Sequence, residues 1–164
     1  MLELVATQAS VVGCFATAEA LDALPLTAGA YSCRVALDEA MLVAGPAAAD
    51  ELVTTASAHL VAEDPDAVVL ETTDGWAVWT LVGERVRDAF AHLSAVPLGD
   101  EGYTQGDVAH VPVRVIALPD RLHLLVPAMW GEHLRERILA DCASLDVRER
   151  AEPAPWAAPE GERA

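Results

Sequence analysis

The sequence contains no lysine. Its ten basic residues are all arginines, and 26 acidic residues outweigh them to give a formal net charge of −16 at pH 7. A chain this acidic is repelled by phosphate backbones, so nucleic acid is not an expected partner. Beyond that, net charge bears on solubility and association rather than on fold. Cysteine is scarce too: Cys14, Cys33 and Cys142 are odd in number and far apart. That argues against a disulfide framework and for a cytoplasmic setting. The opening MLELVATQAS carries Glu3 and no basic residue, unlike a secretory signal. No apolar run approaches the length that crosses a bilayer, so no membrane association is expected.

Catalytic motifs are also missing. The sequence holds no Gly-rich phosphate loop, no Gly-x-Ser-x-Gly elbow and no His-Glu-x-x-His pair. Gly99, Gly102 and Gly106 share a loop, but they precede a strand and not the helix N-terminus that holds a phosphate. His110 and His123 are spaced to face each other across a hairpin, with His133 on the helix beyond. Zinc needs several ligands converging at close spacing, and separate surface or strand histidines account for the same positions, so no metal is expected. The cysteines lie in apolar contexts without a local base or cation, as inert buried thiols do. No catalytic residue is expected in this chain.

What is present is a core-forming sequence. Apolar residues make up 53% of the 164, enough for a domain of ordinary size. Residues 11–15 read as a short strand. Thr17 is placed to cap a brief helix that Pro25 stops. SCRVA and AMLVA around Leu37-Asp38-Glu39 read as a hairpin. Pro46 is then placed as the first residue of a helix, on which Ala49, Leu52, Val53, Ala56 and Leu60 recur at helical spacing. A second hairpin is expected from AVVLETT and WAVWTLV, joined at Asp74-Gly75, a dipeptide suited to a type I′ turn. Val86, Ala89, Phe90 and Leu93 mark one face of the next helix. Residues 95–107 read as a loop. VAHVPVRVIAL and RLHLLV form a third hairpin around Pro119-Asp120, followed by a helix lined by Leu134, Ile138, Leu139 and Cys142.

The unit strand–strand–helix thus recurs three times, at 31–60, 68–93 and 108–143. Antiparallel hairpins alternating with helices predict an α+β fold with helices packed on sheet faces, not a parallel doubly wound one. Residues 1–145 read as one domain, and 146–164 as a disordered acidic tail rich in Ala and Pro. The charged faces at 84–88 and 132–137 read as solvated helix surfaces with weak local ion pairs.

Four tryptophans remain. Trp76 and Trp79 stand three apart on one strand and so point to opposite faces; one serves the core and leaves the other for something else to cover. Trp130 opens the last helix. Trp156 lies in the tail, away from any core. Trp76, Trp79 and Trp156 are therefore the candidate partner contacts, although Trp156 is equally compatible with a tail that contacts nothing.

Three segments resemble a known family. LDEAMLVAGP (37–46) resembles the P-D-E-x-L-L-L-G-P segment of sarcosine oxidase gamma subunits. VVLETTDGWAVWTLVGERVRDAF (68–90) is similar to their V-V-D-V-S-D-G-x-A-x-L-x-L-x-G segment, with Thr73, Asp74, Gly75 and Ala77 on its S-D-G-x-A core. Residues 111–138 look like the family's closing strand, turn, strand and helix. Glu71 replaces the usual Asp, Thr73 the usual Ser, and Val96-Pro97-Leu98 stands where the family reads C-P-L-D-L. These departures widen the resemblance to folate-binding aminomethyltransferase-like domains, the fold of the glycine-cleavage T-protein.

The resemblance implies a non-catalytic subunit that packs on a larger alpha-type subunit of a heteromeric sarcosine oxidase. That complex demethylates sarcosine oxidatively, with tetrahydrofolate as one-carbon acceptor. It places FAD, FMN, NAD and tetrahydrofolate in the partner subunits and no cofactor in this chain. Two other readings stand beside it. One is a stand-alone folate-binding protein of one-carbon transfer or repair, with Asp74 as pterin anchor. Asp74-Gly75 as a plain turn competes with that role. The other is a cofactor-free regulatory domain that forms a homo-oligomer when alone.

Overall fold

A computed structural model of the chain describes residues 1–154 and Trp156. Within the single domain expected over 1–145 the chain divides into two compact units. The first unit holds Met1–Gln8 and Asp74–Pro155. The second holds Ala9–Thr73 and, of the described residues beyond it, Trp156. The second is thus inserted in sequence after the first strand of the first. The polar-out, apolar-in rhythm of a small sheet-plus-helix layer is satisfied separately in each.

The second unit contains β2 (Ser10–Phe15), α1 (Ala18–Asp22), β3 (Tyr31–Ala36), β4 (Glu39–Ala44), α2 (Ala49–Glu63) and β5 (Val68–Glu71). Its four strands lie in the order β3-β4-β2-β5, with every neighbouring pair antiparallel. Val12 and Cys14 of β2 and Leu42 and Ala44 of β4 sit two apart, so they share one sheet face. There they bury against Leu21, Leu52, Ala56 and Leu60 of the two helices. Thr17 caps α1 as expected, its Oγ1 accepting from the Ala20 N–H at 3.4 Å. Pro46 is not the first residue of α2. A turn intervenes, with the Ala48 N–H donating to the Gly45 carbonyl, and the helix begins at Ala49. At the other end Asp64 organises the exit: its carboxylate accepts from the Thr17 N–H at 2.9 Å and the Asp66 N–H at 3.0 Å.

The first unit contains β1 (Leu2–Thr7), β6 (Trp76–Val82), α3 (Val86–Leu93), β7 (Gly102–Val108), β8 (Val111–Leu118), β9 (Arg121–Pro127), α4 (Gly131–Asp141) and β10 (Val147–Ala154). The sheet order is β10-β1-β6-β9-β8-β7. Leu2, Leu4, Leu81, Leu122, Leu124 and Val126 face α3 and α4, where Phe90, Leu134 and Ile138 complete the core. The predicted hairpin around Pro119-Asp120 is present as β8 and β9, paired from Leu118↔Arg121 to Arg114↔Leu125.

Three expectations are corrected here. β5 and β6 do not form a hairpin: β5 pairs with β2 and β6 with β1 and β9. Thr73–Gly75 form one 3-10 turn, and Gly75 is not among the residues at positive φ, so there is no type I′ turn. Residues 102–108 are a strand and not a loop. The chain after Asp146 is not a disordered tail throughout. Val147–Ala154 run parallel to β1, from Leu2↔Val147 to Thr7↔Ala154. Backbone ladder bonds hold this strand in spite of its polar composition, with Val147 packing on the core and Arg150 pairing with Glu3 at 3.1 Å. The remainder of the expected tail, other than Trp156, lies outside the described residues.

Candidate interaction surface

β6 carries the first two candidate tryptophans and its pleat separates them. Trp79 shares its face with Ala77 and Leu81, packs on the helix-side core and donates its indole N–H to the Gly131 carbonyl at 2.9 Å. Gly131 is required there, because a Cβ at that position would stand 2.7 Å from the Ala77 Cβ. Trp79 therefore anchors the start of α4 to the sheet. Trp76 points to the opposite face, half-buried, with the Arg114 guanidinium carbon 5.9 Å from its ring centroid. Trp156 is half-buried and donates to the Gly29 carbonyl at 2.9 Å. An aromatic ring expected far from any core is thus held against its own chain.

Asp74 is exposed, in the 3-10 turn between the two units' sequence segments. An exposed carboxylate lacks the enclosed, dehydrated setting in which ligand pockets hold a ring.

The histidines do not converge. His110 is exposed in the two-residue turn between β7 and β8, whereas His123 is fully buried on β9. No group of three or more His, Cys, Asp or Glu side chains is arranged for a metal among the described residues. His123 instead belongs to a buried polar chain that the sequence did not signal. The Thr7 and Thr80 hydroxyls are 2.6 Å apart, and Thr80 Oγ1 lies 2.8 Å from His123 Nδ1. Beside the β7–β8 turn, an open groove of about 590 Å³ is lined by His92, Ser94, His110, Arg137 and Asp141. Arg137 is paired with Asp141 at 2.7 Å, so the groove's cation and anion neutralise each other. The three cysteines are buried, and none is joined in a disulfide. Burial pushes the Cys14 thiol up to about 11. Burial, reinforced by the Asp141 charge, does the same to Cys142, so neither is a thiolate nucleophile near neutral pH.

Apolar exposure is concentrated at a few places. In the first unit, Met129 and Trp130 are exposed just before α4. In the second, Phe15, Val68 and Leu70 are 40%, 44% and 52% exposed. Phe15 and Val68 are register partners on β2 and β5, and Leu70 is two residues on, so all three share one sheet face. The run Val68-Val69-Leu70 does not alternate, so nothing in the sequence marked which of its side chains stay exposed.

No protein-family model and no curated protein matches the sequence. Solved structures do. A chain of the heterotetrameric sarcosine oxidase from Corynebacterium sp. U-96, in complex with pyrrole 2-carboxylate, aligns at TM-score 0.74 and 17% identity. The match covers 93% of this chain and 88% of that one. The glycine cleavage system aminomethyltransferase T from Bartonella henselae aligns at 0.64 and 16% identity, covering 90% of this chain and 47% of that one. The chain therefore spans about half the length of that enzyme. The ligand-free regulatory subunit of aspartate kinase from Thermus thermophilus aligns at 0.51 and 12% identity, over 86% and 97% of the two chains. Identities this low establish the fold alone. It is an α+β, aminomethyltransferase T-like fold with antiparallel hairpins and helices; the segment pattern predicted the α+β class and the resemblance the T-like fold. Among the described residues no helix is long and apolar enough to cross a membrane.

Proposed function

We propose that this chain is a non-catalytic subunit of a heteromeric sarcosine oxidase-like complex, acting by packing on a larger alpha-type subunit. The observation that carries this reading is the near end-to-end match, 93% of this chain on 88% of a chain from a heterotetrameric oxidase. A likeness to one piece of a larger enzyme would have left much of one partner uncovered, as the aminomethyltransferase comparison does. The exposed apolar residues support it, since partner-facing surfaces carry such patches. In this reading oxidative N-demethylation takes place on the partner subunits. These hold the FAD, FMN, NAD and tetrahydrofolate, and this chain holds none of them.

The test is mass spectrometry on whatever co-purifies with the tagged protein from its own host. The expected result is a large flavoprotein and a folate-domain chain in equal amounts with the bait. Recovery of the protein alone, as a discrete homo-oligomer, would overturn the reading in favour of a self-sufficient domain.

A further inference from the structure

The arginines are distributed unevenly. Residues 9–73 carry ten acidic residues and one arginine, Arg34, while the other nine arginines all lie at position 85 or beyond. Arg34 is itself paired with Asp22. The second unit is therefore an almost purely anionic body, and a field of one sign selects partners of the other.

Among the described residues β5 is an edge of that unit's sheet and pairs with β2 alone. The direction of its backbone groups follows from one bond. The Thr72 N–H donates to the Val11 carbonyl at 2.8 Å, and the register sets Glu71 opposite Val12 and Leu70 opposite Gly13. Antiparallel ladders alternate between bonded and non-bonded pairs. Leu70 and Val68 thus face β2 with their N–H and C=O groups, and Val69 and Glu71 direct theirs outward. Two donors and two acceptors line the free edge. On one face of that edge stand Phe15, Val68 and Leu70, exposed and apolar. On the other stands Glu71, exposed, and the segment leading into β5 carries Glu63, Asp64 and Asp66. Natural edges are usually blunted by lysine, proline or an inward charge. The strand Val68–Glu71 has neither lysine nor proline, and its single charge, Glu71, stands exposed at the strand's end on the helix-side face, where a cation can reach it.

We propose that the free edge of β5 receives an extended segment that alternates apolar residues with arginine or lysine. Its backbone pairs with Val69 and Glu71, its apolar residues cover Val68, Leu70 and Phe15, and its cations face Glu71 and the acids before β5. That a subunit of the same complex supplies this segment rests on the function proposed above.

The probe is a capped heptapeptide alternating arginine and valine, with a block peptide of the same composition as control. With the full chain, the alternating peptide slows hydrogen exchange at the Val69 and Glu71 amides, and its Kd weakens about tenfold from low salt to roughly 0.5 M. Glu71→Pro removes one outward donor and no bond to β2, a position where an edge strand tolerates proline, and weakens binding by about tenfold or more. Glu71→Gln keeps the donor and loses only the salt-dependent part. Leu70→Lys alters an exposed side chain, leaves the fold intact and weakens binding as strongly, which guards against a misfolded proline variant. Equal binding of the block peptide, protection elsewhere, or native affinity in both Glu71→Pro and Leu70→Lys would overturn the inference. Co-purification separates it from the subunit reading. If Glu71→Pro and Leu70→Lys recover the large subunits as the native chain does, the edge assignment falls and the subunit reading stands. If the native chain recovers none, the subunit reading falls together with the assignment of the segment to it.

Discussion

Thr80→Val should destabilise the first unit without leaving a hole in it. Valine replaces a hydroxyl by a methyl of nearly the same size, so the packing term is small and the loss is polar. Thr80 is fully buried, and its Oγ1 is within 2.8 Å of His123 Nδ1 and 2.6 Å of Thr7 Oγ1. Removing it takes one bond from each of two buried groups at once. Leaving a buried polar group short of a partner costs about 1–3 kcal/mol, so with two such groups the variant should lose roughly 2–6 kcal/mol. For a chain of this size that corresponds to a fall in Tm of roughly 4–24 °C. Urea and thermal unfolding followed by tryptophan fluorescence reads the loss directly, since Trp79 neighbours Thr80 in the same unit. Thr80→Ser, which keeps the hydroxyl, should retain most of the stability. In the Thr7→Val, Thr80→Val double variant the cost should be less than the sum, because the stranded Thr7 hydroxyl is gone. A Thr80→Val protein within about 0.5 kcal/mol of the native one, or an additive double variant, would refute the argument that this polar chain is a satisfied structural network.

Gly131→Ala should lose about 1–3 kcal/mol, because its Cβ must displace either Ala77 or the start of α4; Trp79→Phe, which removes both the bond to the Gly131 carbonyl and part of the ring's packing on the core, should lose about 1–3 kcal/mol in the same unfolding assay. Cys14 and Cys142, raised to about 11 by burial, should resist alkylation at pH 8 in the native protein and react fully in denaturant, which a thiol-labelling time course by mass spectrometry checks. The Arg135 guanidinium, hydrogen-bonded to Glu149 at 2.6 Å, holds that carboxyl below its ordinary value. A lowered folded value means the stabilisation is full above the unfolded carboxylate range and is lost as pH falls through the folded one. Exchange across β10, corrected for intrinsic rates, should therefore accelerate in acid, and Glu149→Gln should flatten that dependence.

Turn chemistry decided which parts of the fold were legible from the sequence. Leu37-Asp38 and Pro119-Asp120 sit between runs of alternating apolar residues, and both hairpins formed where that pattern put them. Asp74-Gly75 carried the strongest hairpin signal of all and formed none, because each flanking strand found a better partner in a different sheet. The converse case is the turn joining β7 and β8. Ala109 and His110 both take positive φ, 51° and 68°, a geometry usually left to Asn and Gly, and nothing in Ala-His announces it. β7 itself, GYTQGDV, is half-exposed and glycine-bearing, so no periodicity marked it. β10 was hidden for a related reason: VRERAEPA is attached through its backbone to β1, and ladder bonds leave no trace in hydropathy. Of the candidate contacts, the opposite facing of Trp76 and Trp79 was legible from the period of a strand. The docking of Trp156 on the Gly29 carbonyl was not, since it depends on where the chain returns in space.

The parallel pairing of β1 with β10 also sets an order of events in synthesis. Leu2 leaves the ribosome long before its partner Val147 is made. At ribosomal rates of about 5–20 residues per second, β1 waits roughly 7–30 s for that partner. Residues 9–73, with both hairpin and helices local to the segment, need no such wait. The nascent protein therefore passes through a state in which the acidic unit has its own strands in hand while an apolar N-terminal strand, LELVAT, stays open on one edge. A chaperone or an early-binding subunit would meet that strand, and an affinity tag fused ahead of Met1 would sit at the one strand whose sheet closes last.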